Sequence, residues 1–129
     1  MALMDRQRAY RLPALQLAFI GDTVCDLLMR TELMFSSGSI REMHARATAV
    51  VNARAQAEQL DSVIHLLEND ELDIVQRARN AHPGHTLPQA ASREEYMKAT
   101  AFEALMGYLY LSGQMRRAQT LYRLGRIKE

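Results

Sequence analysis

Residues 17–28 read LAFIGDTVCDLL, an apolar stretch with helical spacing that carries a glycine and an aspartate in its middle. A carboxylate inside an apolar helix is expensive to bury without a partner, and glycine lowers helix stability. If packing were the only requirement, less costly residues would suit both positions. Gly21 and Asp22 therefore indicate a second requirement at this point of the helix.

Residues 100–111, TAFEALMGYLYL, repeat the pattern, with Glu103 in an apolar run and Gly107 one turn later. Glycines let two helix backbones approach closely where they cross, and such a crossing would bring Asp22 and Glu103 together. Two neighbouring carboxylates repel each other and need a counter-charge. A hard divalent cation such as Mg²⁺, bound through oxygen ligands and retained waters, would supply it. The pattern therefore predicts a Mg²⁺ site at Asp22 and Glu103.

The spacing alone leaves an alternative open. Each acid could lie at the edge of the buried stripe and pair with an arginine such as Arg54 or Arg46. Cys25 is interpreted as a small core residue, because no histidine is placed by the sequence to activate it. Asp26 is interpreted as a surface acid, with an outer-shell role at the metal as the alternative. The four histidines show no H-x-x-x-H spacing, so no zinc site is predicted.

The composition indicates one globular domain spanning residues 1–129. Hydrophobic residues make up 48% of the chain and charged residues 24%, which is typical of a folded protein and not of a disordered one. Cys25 is the only cysteine, which excludes an intramolecular disulfide and favours a reducing compartment, so we expect a cytoplasmic protein. No secretory signal and no membrane span are expected from the apolar runs.

The net charge of +1 conceals an uneven distribution. Residues 55–76 contain six of the 15 acids and no lysine or arginine, so the remainder holds all 16 basic residues against nine acids. This asymmetry is compatible with one face of the protein meeting a polyanion. An unevenly charged, solvated surface is the alternative.

The periodicity predicts an all-α chain, because no alternating run of β-branched residues occurs. Ser39 with Glu42, and Ser92 with Glu95, form capping-box signatures. Gly113 is a predicted helix stop. A long loop is expected over 80–92, where two prolines and a glycine cluster. The predicted helices run from Pro13 to about Met34, over 39–60, 62–68, 71–78 and 93–112, and over 114–125.

Taken in order, these motifs resemble the ribonuclease III family. The stretch LQLAFIGDTVCDLL, residues 15–28, resembles the family signature in which Glu-Phe-Leu-Gly-Asp lies on a helix at the catalytic centre. Residues 100–111 resemble its second acidic helix, Asp-x-x-Glu-Ala-Leu-Ile-Gly, and VVN at 50–52 a further, weaker stretch. Residues 77–81, RARNA, fit an RxRNA segment of the short bacterial branch, Mini-ribonuclease III, which has no double-stranded-RNA-binding domain.

Two positions depart from the full-length family pattern. Ala18 stands where the family has the first signature glutamate, and Thr100 stands where it has the aspartate before the second-helix glutamate. The short branch looks similarly reduced, so these departures are compatible with activity and leave the number of bound metals open. Thr100 lies three residues before Glu103 on the same helix face, where its hydroxyl can hold a water of the cation.

The resemblance implies an all-α, ribonuclease III-like helical bundle that assembles as a homodimer. It implies Mg²⁺-dependent hydrolysis of phosphodiesters in double-stranded RNA, with Asp22 and Glu103 as the catalytic and metal-binding residues. The implied substrate is a structured ribosomal RNA precursor of the 23S type, with a ribosomal protein or the assembling ribosomal subunit as a further partner. The stretch LPALQLAFIG, residues 12–21, is more apolar than one buried stripe requires, which a twofold contact or a core-facing helix that is hydrophobic all round would explain equally well.

Duplex RNA is recognised mainly by shape, phosphates and 2′-hydroxyls. Without a separate binding domain, this chain must supply those contacts from its own surface. Each basic residue taken singly can be an ordinary solvated side chain, so the hypothesis depends on a cluster beside Glu103. The predicted RNA-binding residues are Arg77, Arg79, Asn80, His82, His85 and Lys98, with His44, Arg46 and Arg54 as second candidates.

Two other classes of function remain open at this point. The first is a non-catalytic helical RNA-binding or scaffolding dimer that kept the fold and lost two acids of the family. The second is a plain helical interaction domain that binds no RNA. Substitution of Asp22 distinguishes a scaffolding dimer from a nuclease, since only a nuclease would lose RNA cleavage while retaining RNA binding.

Overall fold

The computed structural model describes residues 2–35, 38–50, 52–81 and 92–126. In these ranges the chain forms seven α-helices, one 3₁₀ turn and no strand, which confirms the predicted all-α class. None of the helices in the described ranges is long and apolar enough to cross a membrane. The helices are α1 (Arg6–Arg11), α2 (Ala14–Leu33), α3 (Ile40–Val50), α4 (Ala53–Val63), α5 (Asn69–Asn80), α6 (Arg93–Leu111) and α7 (Met115–Arg126), and the 3₁₀ turn is Ile64–Leu66.

Helix α6 is the centre of the fold, and α2, α4, α5 and α7 pack around it. Its apolar residues face all directions, which is the pattern of a helix buried on every side. Phe102, Leu105 and Tyr108 are fully buried. The Tyr108 hydroxyl donates to Asp70 of α5 at 2.5 Å, which satisfies the polar end of this buried ring.

The two glycines noted in the sequence lie where α2 crosses α6. A Cβ at Gly21 would stand 1.6 Å from the Glu103 carbonyl oxygen, and a Cβ at Gly107 would stand 2.1 Å from the Leu17 carbonyl oxygen. The pairing of Gly21 with Glu103 and of Leu17 with Gly107 makes the two helices antiparallel. The prediction that glycines permit a close crossing is confirmed.

The predicted helix signals are found in the structure. The Glu42 amide donates to Ser39 Oγ at 3.2 Å, and the Glu95 amide donates to Ser92 Oγ at 3.1 Å. Gly113 ends α6 with a φ of +80°, a conformation that favours glycine. Helices α2, α5, α6 and α7 match their predicted ranges to within two residues.

The prediction of one helix over 39–60 is wrong, because the chain divides into α3 and α4. Asn52 starts α4 as its N-cap, and its side-chain oxygen accepts from the Ala55 amide at 2.9 Å. A residue with this capping ability favours a new start over continuation of the helix. The separate helix predicted over 62–68 is also wrong, since α4 runs on to Val63 and ends in the 3₁₀ turn.

Helix α1 was not predicted. Asp5 caps it by accepting from the Arg8 amide at 2.8 Å, and the Leu3 and Met4 amides donate to the Leu111 carbonyl at the end of α6. At six residues this helix is too short for a periodic signal and depends on tertiary contacts.

Most of the acids in residues 55–76 have partners, so the segment is not a bare acidic face. Arg117 of α7 forms a two-pronged ion pair with Glu71, whose side chain is 3% exposed. The Tyr10 hydroxyl donates to Asp73 at 2.5 Å. Lys98 lies 3.0 Å from Asp61. These contacts tie α5 and α4 to their neighbours and offset the negative charge within the fold.

Candidate active site

Asp22 and Glu103 face each other at the glycine crossing, as predicted. Asp22 follows Gly21 directly, and Gly21 lies against the Glu103 backbone. The two carboxyl groups are neighbours across the crossing, since the proximity of Asp22 is among the causes that raise the pKa of Glu103. Asp22 is exposed and Glu103 half-buried, so the pair opens to solvent from the α2 side.

The pKa of Glu103 is raised from 4.5 to about 8. Burial makes the largest contribution, because it removes water from the charged form. The hydrogen bond to Asp22 and the negative charge of Asp22 raise the pKa further, while a hydrogen bond from Gln56 lowers it. Without a cation, the pair therefore retains a proton at neutral pH.

Gln56 of α4 is a neighbour of Glu103 that the sequence does not indicate. Its side chain is buried, and its proximity is among the causes that act on the pKa of Glu103, lowering it. The available signal was an amide at a buried position in the alanine-rich ARAQAEQL, residues 53–60. Only the packing of α4 against α6 identifies its neighbour.

The pair fits a hard divalent cation. Both ligating groups are carboxylates, and the proton that Glu103 retains occupies the place of a counter-charge. In the described part of the chain, no group of three or more His, Cys, Asp or Glu residues is arranged to hold a metal ion. Among the described residues, Asp22 and Glu103 are the two carboxylates at the crossing that would hold such a cation.

Cys25 and Asp26, which follow Asp22 on α2, have the structural roles predicted from the sequence. Cys25 is buried, and burial, with the charges of Glu103 and Asp22, raises the pKa of its thiol, so the thiol stays neutral. Asp26 forms an ion pair with Arg30 at 3.3 Å, as a surface acid does. Ala18, where the family has a glutamate, is buried in the core.

For Arg54 the arginine-pairing alternative is wrong. Its guanidinium lies 3.5 Å from Glu58 on the exposed face of α4, and both side chains are more than half exposed. The Thr100 hydroxyl, placed by the sequence on the Glu103 face, donates to the Tyr96 carbonyl at 3.0 Å in its own helix.

Three of the predicted RNA-binding residues lie near one end of α5 and α6. Glu94 brings two of them together, since it lies 4.0 Å from Arg79 and 3.7 Å from Lys98. Asn80 is exposed at the end of α5. His82 and His85 lie outside the described residues.

Arg77 is set apart from this cluster. Its guanidinium donates to the Tyr10 carbonyl at 2.5 Å and to the Leu12 carbonyl at 3.4 Å, and pairs with Asp73 at 3.1 Å. It also stacks over the Tyr10 ring, 4.8 Å from the centroid. Arg77 thus caps the end of α1 and joins it to α5, and most of its hydrogen-bonding capacity is used within the fold.

Comparison with known proteins identifies relatives over nearly the whole chain. Residues 15–114 match the family model described as Ribonuclease III domain. A Mini-ribonuclease 3 of Thermoanaerobacter sp. (strain X514) is 37% identical over 95% of this chain and 86% of its own length. A Mini-ribonuclease 3 of Symbiobacterium thermophilum is 43% identical, covering 82% of each chain. The crystal structure of a protein from Fusobacterium nucleatum superimposes with a TM-score of 0.79 at 28% identity, over 88% of this chain and 90% of that one.

Proposed function

Because this chain belongs to the ribonuclease III family and is an endoribonuclease, we propose that it cleaves double-stranded RNA with Mg²⁺ held by Asp22 and Glu103. The observation that carries this proposal is the carboxyl pair at the glycine crossing of α2 and α6, where burial and the neighbouring Asp22 raise the pKa of Glu103 and a cation would supply the missing counter-charge. Both family motifs converge on this one point.

The roles of the two residues follow from their exposure. Asp22 is exposed and able to reach a cation bound together with an RNA phosphate. Glu103 is half-buried and held by its neighbours, so it keeps the cation at a defined position. The chemistry that Mg²⁺ supplies when bound is activation of water for attack on phosphorus and stabilisation of charge on the phosphate.

We propose that the RNA contacts Arg79, Asn80, His82, His85 and Lys98. Arg77 is proposed as a further contact, although less of its side chain is available. Lys98 precedes Glu103 by five residues, about 7.5 Å along the helix axis, so a phosphate near Lys98 lies within reach of the scissile bond. Lys98 pairs with Asp61 at 3.0 Å and lies 3.7 Å from Glu94, which is 4.0 Å from Arg79, so RNA phosphates would compete with these carboxylates for the two cations. Such phosphate contacts suit recognition of a duplex by its shape.

We further propose a homodimer formed through the outer face of α2. Phe19 is 83% exposed and Leu27 54%, and Leu15 is exposed beside them. Exposed apolar side chains that line one helix indicate a protein–protein interface. A second copy placed across this face would bring two Asp22 residues to one side of the dimer, one for each strand of a duplex.

We propose a 23S-type ribosomal RNA precursor as the substrate, with a ribosomal protein or the assembling subunit as a partner and the cytoplasm as the location. Support for this substrate comes from the resemblance to the short bacterial branch of the family. Cleavage of ribosomal precursor transcripts, compared with unrelated duplexes of equal length, tests it.

The nuclease is tested by incubating purified protein with a long duplex RNA, with and without Mg²⁺. We expect Mg²⁺-dependent cleavage by the wild type and its loss in Asp22→Asn, with RNA binding retained. Asp26→Asn is the matched control, because Asp26 lies one turn further along the same helix and pairs with Arg30. RNA binding without cleavage by the wild type would contradict the nuclease and favour the scaffolding dimer.

A further inference from the structure

We propose that a cleft between the end of α2 and the last turn of α7 binds one unpaired nucleotide of the RNA, with its base on Phe35 and its phosphate on Arg123. The cleft is open to solvent, has a volume of about 440 Å³ and is lined by Glu32, Phe35, Arg123 and Arg126. None of the four lies within the stretches that resemble the family. The inference rests on the proposed cleavage of RNA and adds a second contact site for the same substrate.

Phe35 supplies the aromatic side of the cleft. It follows the last turn of α2, where its amide donates to the Glu32 carbonyl at 3.1 Å. The residue is 86% exposed, so its ring is available to a ligand instead of filling the core. Aromatic side chains at the surface of RNA-binding proteins stack on unpaired bases, and they accept every base because each has a π face.

Arg123 supplies the charge. It is exposed, and in the part of the chain that the structure describes its guanidinium forms no ion pair or hydrogen bond. Arg126, in contrast, pairs with Glu32 and lies 5.9 Å from the centroid of the Tyr122 ring, so its charge is balanced and its position is fixed. Two arginines and one glutamate leave the cleft with a net charge of +1. A nucleotide within an RNA chain has one planar base and one negative phosphate, which matches both features.

The ligand is an unpaired nucleotide because a base inside a duplex is covered by its stacked neighbours and has no free face for Phe35. Glu32 lies ten residues after Asp22 on α2, which is about 15 Å along the helix axis. A nucleotide in the cleft would therefore flank the duplex that meets Asp22. The cleft is expected to favour duplexes that carry an unpaired segment beside the cleaved region.

Two exposed residues outside the cleft provide matched controls. Met34 directly precedes Phe35 and is 71% exposed, and Arg116 is exposed on α7 two turns before Arg123. Neither lines the cleft. Met34→Ala and Arg116→Gln therefore remove an apolar and a cationic side chain from the same parts of the fold without changing the proposed site.

The test measures the affinity of the protein for a blunt duplex RNA and for the same duplex with an unpaired oligoadenosine extension, in EDTA to prevent cleavage. We expect the wild type to bind the extended duplex about tenfold more tightly, and Phe35→Ala to bind the two duplexes alike. For the extended duplex, Arg123→Gln should make the slope of log affinity against log salt concentration less steep by about 0.7. Met34→Ala and Arg116→Gln should retain the preference of the wild type.

A direct readout of stacking comes from 2-aminopurine placed in the extension, because its fluorescence is quenched when it stacks. We expect quenching by the wild type and none by Phe35→Ala. Because Phe35 and Arg123 are exposed, both variants should unfold at the wild-type temperature, which thermal unfolding checks.

A preference for the extended duplex that persists in Phe35→Ala would overturn the nucleotide site. Equal binding of the two duplexes by the wild type would overturn it as well and favour a protein segment as the partner of Phe35. Failure of the wild type to bind either duplex would overturn the RNA-directed function on which the inference rests. That result is separable from equal binding of both.

Discussion

The Cα of Gly21 lies so close to the carbonyl oxygen of Glu103 that a Cβ at position 21 would stand 1.6 Å from it. This one contact joins the architecture to the chemistry. The residue after Gly21 is Asp22, and the side chain of Glu103 meets it across the crossing. The close contact between the backbones of α2 and α6 therefore also brings the two carboxyl groups together.

Gly21→Ala should destabilise the fold by about 3 kcal/mol or more, because its methyl group would overlap backbone that cannot move without separating α2 from α6. Urea unfolding followed by circular dichroism measures the loss. Gly125→Ala is the control, since a Cβ there would meet the Gln59 carbonyl oxygen at 3.0 Å and needs only a small adjustment. A Gly21→Ala protein as stable as Gly125→Ala would show that the crossing is looser than described.

Glu103→Gln should abolish Mg²⁺-dependent cleavage while leaving duplex RNA bound, because an amide gives the cation one neutral oxygen in place of a carboxylate. Cleavage assays with a gel-shift measurement of binding check both parts. Glu95→Gln, on the same helix but engaged in the Ser92 capping box, is the control and should retain cleavage. Retention of full activity in Glu103→Gln would remove Glu103 from the metal site.

In metal-free protein, the contribution of Glu103 to the free energy of unfolding should decrease as the pH rises from about 5 to about 8. Its pKa is raised in the folded protein, so the folded state binds this proton more tightly than the unfolded state. The favourable contribution is complete below the unfolded pKa of 4.5 and is lost as the pH passes the folded pKa of about 8.

Glu103→Gln should remove this pH dependence of stability, because the amide does not titrate. In EDTA at pH 8.5 the variant should be more stable than the wild type by roughly 2 kcal/mol. This gain is smaller than the full pKa shift of Glu103 implies, because the site is partly solvated. Denaturant unfolding at pH 5 and 8.5 measures it, with Glu58→Gln at an exposed pair as control. Equal pH dependence in wild type and Glu103→Gln would contradict the raised pKa.

Arg117→Met should cost about 3–5 kcal/mol, because it leaves the buried Glu71 carboxylate without its counter-charge. Thermal and urea unfolding measure the loss. Arg54→Met removes an exposed partner of Glu58 and should change stability by less than about 1 kcal/mol. A similar loss of unfolding free energy in the two variants would mean that water solvates the Glu71 carboxylate.

Phe19→Glu should convert the proposed homodimer to a monomer, since a charge would be buried in the centre of the apolar α2 face. Sedimentation velocity over a range of concentrations measures the change. Leu72→Glu, at an exposed leucine of α5, should leave the assembly as in the wild type. A monomeric wild type would exclude the dimer.

The helical class, the carboxyl pair and the glycine crossing could be predicted from the sequence. These are local or repeated signals: an acid with a glycine beside it in one apolar helix and one turn away in another, and capping boxes at Ser39 and Ser92 that depend on residues three apart. The ordered motifs also indicated the family, because they combine residue type with spacing. The break at Asn52 was missed because helical periodicity alone does not register a residue that can cap a new helix.

The contacts that each side chain makes could not be predicted, because they form only when distant helices pack together. Arg77 was predicted to bind RNA with Arg79, but the meeting of α1 and α5 engages its guanidinium with two backbone carbonyls and Asp73. Gln56 has no distinguishing motif, and it becomes a neighbour of Glu103 only because α4 packs on α6. The burial of a side chain and its contact partners depend on residues that are distant in sequence. The pKa of Glu103 depends on its burial and its partners, and the spacing of residues along a helix predicts neither of them.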